Sequence, residues 1–200
     1  MRNLRRRHLL KAAGAVVGGT LIGGLVRVRL SQDPGRLRPP GAFAADDFAS
    51  KCIRCQQCVV VCPRQCIIPE SSLACFLSTG MPAIDARQNP CDLCAGREQL
   101  ECIAVCPTDA LMPVISRRSV RMGLARIDKQ ICWPYQGIAC RACWHACPFA
   151  TDAIIFDPLG RPAVSASACV GCGLCEHACL AETAAITVEP FAHGTADIEV

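Results

Sequence analysis

The chain has 200 residues, of which 18 are cysteine and 4% aromatic, with a formal net charge of +4. Residues 1–30 hold seven Lys or Arg and no acid, so the 14 basic and 17 acidic residues beyond leave the body at −3, which argues against a nucleic-acid-binding surface. So few aromatics and so little continuous apolar sequence also exclude a side-chain core of ordinary size, and something else must fill part of it.

At the N-terminus, Arg5-Arg6-Arg7-His8-Leu9-Leu10-Lys11 precedes a mildly apolar, glycine-rich run from Ala12 to Val26. This reads as a twin-arginine (Tat) export signal with Arg6 and Arg7 as the pair. The run has 15 residues, short of the roughly 20 that span a bilayer. Ala42-Phe43-Ala44 offers an A-x-A cleavage site far past the run, and an uncut signal acting as a tether is the alternative. Residues 31–50, rich in Pro, Gly, Asp and Ala, read as an exposed linker. Residues 51–190 then form the functional domain, and 191–200 a tail.

Sixteen cysteines follow in four motifs. The first is Cys52-x2-Cys55-x2-Cys58-x3-Cys62-Pro63, the second Cys91-x2-Cys94-x7-Cys102-x3-Cys106-Pro107. The third is Cys132-x7-Cys140-x2-Cys143-x3-Cys147-Pro148, and the fourth Cys169-x2-Cys172-x2-Cys175-x3-Cys179. The outer two have the bacterial ferredoxin spacing for a [4Fe-4S] cube, in which the fourth cysteine ligates the partner cluster. Cysteines three apart in a tight loop offer three thiolates to three iron corners, and the fourth is expected to open a short helix. Four [4Fe-4S] clusters are the implied cofactors. Zinc ribbons would not explain the repeated x3-Cys-Pro ending. A disulfide scaffold is a poorer fit, because cysteines this close in one loop are bad mutual partners. Tat export suits such a cargo, since clusters are inserted in the cytosol before the folded protein leaves.

Between the motifs, Met81-Pro82-Ala83-Ile84, Leu124-Ala125-Arg126-Ile127 and Ala185-Ile186-Thr187-Val188 are candidate strands. Ala153-Ile154-Ile155-Phe156 and Pro162-Ala163-Val164 enclose the turn-rich Asp157-Pro158-Leu159-Gly160-Arg161 and read as a hairpin. Helical turns are expected to follow Cys58, Cys102, Cys143 and Cys175. The fold class is a small α+β protein with two ferredoxin-like modules, each organised around two clusters. The hairpin favours tandem pairing of first with second motif and third with fourth. The matching seven-residue gaps of the inner motifs favour nesting, which is the expectation here: Cys52, Cys55, Cys58 with Cys179; Cys169, Cys172, Cys175 with Cys62; Cys91, Cys94, Cys102 with Cys147; and Cys132, Cys140, Cys143 with Cys106.

Cys66 and Cys75 stand outside the motifs, as a disulfide or, the preferred expectation, as two inert buried thiols. His145 and His177 lie between third and fourth ligands, where exposed helix positions explain them better than cluster tuning. Every motif is complete, so no iron is expected to have an open substrate site. No Gly-rich nucleotide loop or flavin fingerprint occurs. The residues thus imply one-electron relay without a catalytic site.

The twin-arginine signal, Arg38-Pro39-Pro40-Gly41-Ala42, Phe48-Ala49-Ser50-Lys51-Cys52-Ile53-Arg54-Cys55, Arg121-Met122-Gly123-Leu124-Ala125 and the motif order with its two long gaps resemble the MauM/NapG group of periplasmic ferredoxin-type proteins. Leu180 after Cys179, where the other three motifs have Pro, fits the same group. The resemblance implies a periplasmic location and a polytopic iron–sulfur membrane partner of the NapH type, together acting as a quinol dehydrogenase feeding a periplasmic nitrate reductase. On its MauM side it implies electron transfer to, or maturation of, methylamine dehydrogenase. An electron-transfer subunit of a molybdopterin oxidoreductase is a further alternative.

Overall fold

A computed structural model describes residues 36–42, 45–71 and 79–191. The export signal, the cleavage site, Cys75 and the C-terminal tail from residue 192 lie outside the described residues.

Short elements alternate with cysteine loops. The helices are α1 (Ala45–Lys51), α2 (Gln57–Val61), α3 (Glu101–Ala104), α4 (Ala142–Ala146), α5 (Ala150–Ala153) and α6 (Leu174–His177). The strands are β1 (Ile67–Pro69), β2 (Pro82–Ile84), β3 (Gly123–Ile127), β4 (Ile154–Phe156), β5 (Pro162–Val164) and β6 (Ile186–Pro190). Each strand pairs once, antiparallel: β1 with β2, β3 with β6, β4 with β5. None of these helices would hold alone in water, where roughly 12–15 residues are needed, and isolated two-stranded ribbons are marginal. Tertiary packing around the cysteine loops has to stabilise them.

The expected strands all form, and so does the mixed helix and strand class. The hairpin closes as its composition implies: Asp157 Oδ1 accepts from the N–H groups of Leu159 and Arg161, each at 2.9 Å, and Gly160 supplies φ +75°. The backbone N–H of Arg161 is the main cause of an Asp157 carboxyl held below its usual range. The strand not foreseen is β1, whose Ile67-Ile68-Pro69 is too short for alternation to show and ends in Pro. It is fixed by register with β2, Ile67 opposite Ile84.

The segment expected to be an exposed linker is packed at several of its described residues. Leu37 bridges to Ile84, Pro39 and Pro40 are fully buried, and Phe48 is 2% exposed. Arg38 explains the docking: its guanidinium stacks on the Phe48 ring at 5.9 Å and donates to the buried Glu70 carboxylate at 3.3 Å and to the Pro82 carbonyl at 3.2 Å. A buried carboxylate needs such a partner.

The two halves of the chain meet at the fourth motif's loop. Gly171 has φ +73°, and a methyl group there would overlap the backbone N, C and O of Gly123, the first residue of β3. Gly171→Ala combines that overlap with a left-handed backbone, so a loss of at least about 2 kcal/mol is expected in urea unfolding of the loaded protein. Gly160→Ala is the control, with the same sign of φ and nothing within 4 Å of the added methyl.

Candidate metal centres

The same local design recurs four times. The third cysteine of each motif is the second residue of a short helix: Cys58 in α2, Cys102 in α3, Cys143 in α4 and Cys175 in α6. The fourth cysteine closes that helix instead of opening one. Cys62 and Cys147 are the residues that end α2 and α4, and Cys106 and Cys179 stand just past α3 and α6. The reason is the proline after three of them, which forbids further helix and holds the preceding residue extended. Cys62 has ψ 114° and Cys147 ψ 123° accordingly. Left-handed residues at Arg54, Gln56, Leu93, Cys94, Gly171 and Gly173 turn the loops back on themselves, the backbone form that makes anion-binding nests at cluster sites.

Four groups of four cysteines result. Quartet I is Cys52, Cys55 and Cys58 with Cys106, on the wall of one cavity. Quartet II is Cys91, Cys94 and Cys102 with Cys62, buried together in one core cluster. Quartet III is Cys169, Cys172 and Cys175 with Cys147, and quartet IV is Cys132, Cys140 and Cys143 with Cys179, each around its own apolar cavity. All sixteen cysteines singled out in the sequence are therefore brought together, but in tandem, not nested as expected. The physical cause lies in the short elements. The β1–β2 ribbon and the packing of α2 on α3 tie the first motif to the second, and the β4–β5 hairpin with α4 on α6 ties the third to the fourth. The seven-residue gaps, which suggested nesting, are absorbed locally. One is a loop held by Arg117, which donates to the carbonyls of Leu93 at 2.8 Å, Cys94 at 3.3 Å and Arg97. The other is a 3-10 turn at Trp133–Gln136 ended by Gly137 at φ +81°.

The quartets fit a polynuclear sulfur cluster. All 17 described cysteines are free, so no disulfide forms among them. Among the described residues no three Cys, His, Asp or Glu side chains close on a single ion, as zinc would require with sulfur at about 2.3 Å. Burial pushes several of the thiols up, Cys58 and Cys143 to about 11 and Cys172 to about 12, with Cys102 and Cys175 raised further, whereas the hydrogen bond from Cys66 draws Cys62 down to about 5. Thiolates in such places need a cationic partner, which an iron core supplies.

The quartets also form a line. Quartets I and II share α2 and α3, and quartets III and IV share α4 and α6. Between the halves, the Cys91 N–H of quartet II donates to the Cys172 carbonyl of quartet III at 3.1 Å. The middle of the line is buried, while its ends approach solvent, with Cys55 exposed and all of quartet IV half-buried.

Three residues at the site carried no sequence signal for their position. Arg87 reaches from the first half to the end of α6, donating to the carbonyls of Glu176 at 2.6 Å and Cys179 at 3.0 Å. Arg117 holds the second motif, as above. Cys66, expected as an inert buried thiol, is 2% exposed and lies with its Sγ 3.5 Å from that of Cys62. His145 is exposed, with Trp144 edge-on at 5.1 Å. His177 is exposed as well, its Nδ1 2.8 Å from the Arg87 carbonyl oxygen.

Among proteins of known name, the chain is similar to the methylamine utilization ferredoxin-type protein MauM of Methylobacillus flagellatus, 37% identical over 180 residues covering 85% of this chain and 75% of that one. It is equally similar to the ferredoxin-type protein NapG of Escherichia coli, 37% identical over 184 residues, 84% of this chain and 78% of that one. MauM of Paracoccus denitrificans is 35% identical over 185 residues, 85% and 80% of the two chains. The chain matches no model of a known protein family.

Proposed function

This chain belongs to the MauM/NapG family of ferredoxin-type proteins, and on that premise we propose that it is a periplasmic four-cluster wire carrying electrons from a quinol-oxidising membrane partner towards a terminal reductase. The observation that supports it most is the line of quartets I, II, III and IV, buried in the middle and open at both ends. A protein acting on a substrate itself would need one open site, whereas a relay needs two accessible ends and an insulated interior.

The sixteen cysteines of the quartets are the ligands in this proposal, holding four [4Fe-4S] clusters in two ferredoxin-like modules. When bound, each cluster supplies a one-electron couple whose potential follows from hydrogen bonds to sulfur, burial and local charge. The chain's part is positional. The fourth cysteine of each motif passes from one cluster to its neighbour, and the Cys91–Cys172 hydrogen bond joins the halves. Arg87 and Arg117 fix the loop carbonyls so that the ligands keep their spacing.

For the partners, a NapH-like polytopic iron–sulfur protein is the electron donor and a nitrate reductase of the periplasmic type the destination, with Tat export delivering the folded chain. The equal identity to MauM keeps one other destination in view, an amine dehydrogenase system served by electron transfer or maturation. Nitrate reduction in cells lacking this protein separates them, driven in parallel by the quinol pool and by a reduced viologen that bypasses it. Loss of the quinol-driven rate alone is the expected result. Loss of both rates would indicate a maturation factor, and loss of neither would redirect the proposal to amine oxidation.

A further inference from the structure

Cys66 is a seventeenth cysteine that the quartets do not use, yet it is among the most deeply buried side chains of the protein. It sits four residues after Cys62, immediately before β1, and the register of Ile67 opposite Ile84 fixes its backbone. Its Sγ is 3.5 Å from Cys62 Sγ, within the range of a sulfur hydrogen bond, and it shares one buried cluster with Cys91. Both neighbours belong to quartet II, one from each of the two motifs that build it. The position is therefore beside a ligand of quartet II, inside the core and closed to solvent.

We propose that Cys66 is a thiol donor to the sulfur ligands of quartet II and sets the potential of the cluster held there. The direction of the hydrogen bond follows from the chemistry of the pair. A cysteine bound to iron has given up its proton and can only accept, so the S–H belongs to Cys66 and points at thiolate sulfur. Donation withdraws negative charge from the ligand. It is worth more to the reduced cluster, which carries one more electron, than to the oxidised one, and so favours reduction. Burial sharpens the effect, because a hydrogen bond in a low-dielectric interior competes with no water. Among the described residues, no other cysteine outside the sixteen is present to do the same for quartets I, III or IV. Quartet II, next to the end quartet I, is then poised as the more readily reduced of the two, and an electron entering at Cys55's end is drawn inward.

The inference rests on the cluster reading proposed above, and the experiment separates the two. The purified loaded protein and its Cys66→Ala and Cys66→Ser variants are assayed for iron and labile sulfide, then titrated redox-potentiometrically with spectroscopic detection of each reduced cluster. In Cys66→Ala, unchanged iron is expected, with one of the reduction steps moved to lower potential and the others unmoved. A tenfold weaker reduction equilibrium is the expected size, about 59 mV for a one-electron couple. Cys66→Ser keeps a hydroxyl donor and is expected to recover part of the shift, which a merely structural role would not give. Full iron content with unmoved steps in both variants would overturn the tuning role and leave the cluster reading standing. Loss of about four irons on removing Cys66 would overturn it differently, by making Cys66 a ligand. A wild-type protein without clusters would sink both proposals together.

Discussion

Replacing Cys106 by Ala is expected to cost the protein the cluster of the first motif, not one of the third. The intact chain should bind about sixteen iron and sixteen sulfide, four of each per cubane, and Cys106→Ala should bind about twelve. The reason is placement: Cys106 shares a cavity wall with Cys52, Cys55 and Cys58, at the end of the α2–α3 pair. Double variants make the result decisive, because substitutions within one unit are not additive and substitutions in separate units are. Cys52→Ala with Cys106→Ala should lose no more iron than either alone. Cys140→Ala with Cys106→Ala should lose two clusters, about eight iron. The nested arrangement requires the reverse, since there Cys106 and Cys140 serve one cluster. Throughput should fall much further than iron content, as a line broken at its first station carries nothing.

Removing iron and sulfide is expected to unfold the described body. No helix in it exceeds seven residues and no sheet exceeds two strands. Seven of the described buried side chains are quartet cysteines, which in the proposed loaded protein face metal. With that filling gone, the short elements lose the tertiary support that nucleation and pairing require. Far-UV circular dichroism should collapse on chelation under reducing conditions, and protease should cut the stripped chain throughout while sparing the loaded one. Retention of native dichroism after complete stripping would show a self-sufficient core. The pH dependence has a definite sign. Burial raises several ligand thiols from their ordinary value of 9.0, to about 11 at Cys58 and Cys143 and about 12 at Cys172. These thiols are protonated at neutral pH, and each must release a proton to bind iron, so loading weakens as pH falls and chelators should strip iron faster at pH 6 than at pH 8.5. For a stripped chain still folded the sign is opposite. A raised folded value adds stability below the unfolded value near 9 that is lost as pH climbs through about 11 to 12.

What the sequence made legible was the part written in short range. Cysteine spacing within eight residues marked every helix carrying a third ligand, and Asp157 to Arg161 announced their hairpin by composition. Long-range order was not legible in the same way. Cys62 joins Cys91, and Cys106 joins Cys52, through a β1–β2 ribbon only three residues long, whose first strand has no periodic pattern. The seven-residue gaps looked like a shared device of two partner motifs because spacing alone cannot distinguish symmetry from coincidence. Packing of Leu37, Pro39, Pro40 and Phe48 was hidden by a composition rich in Pro and Gly, which signals exposed chain until Arg38 and the buried Glu70 are seen to meet. Arg87 and Arg117 act on carbonyls, acceptors that every residue carries, so no pattern of side chains could have pointed to them.

The tandem grouping also orders the protein's birth. Cys106 completes quartets I and II well before Cys179 is reached, so on the cluster reading proposed above the first half is ready to be filled while the second is still being translated. Quartet IV cannot close until Cys179 emerges, and Cys179 is the last of the sixteen cysteines. A chain cut short anywhere between these two residues would keep two complete cluster cradles and lack the far terminus. The final cysteine thus serves as the seal by which a finished molecule differs from an unfinished one.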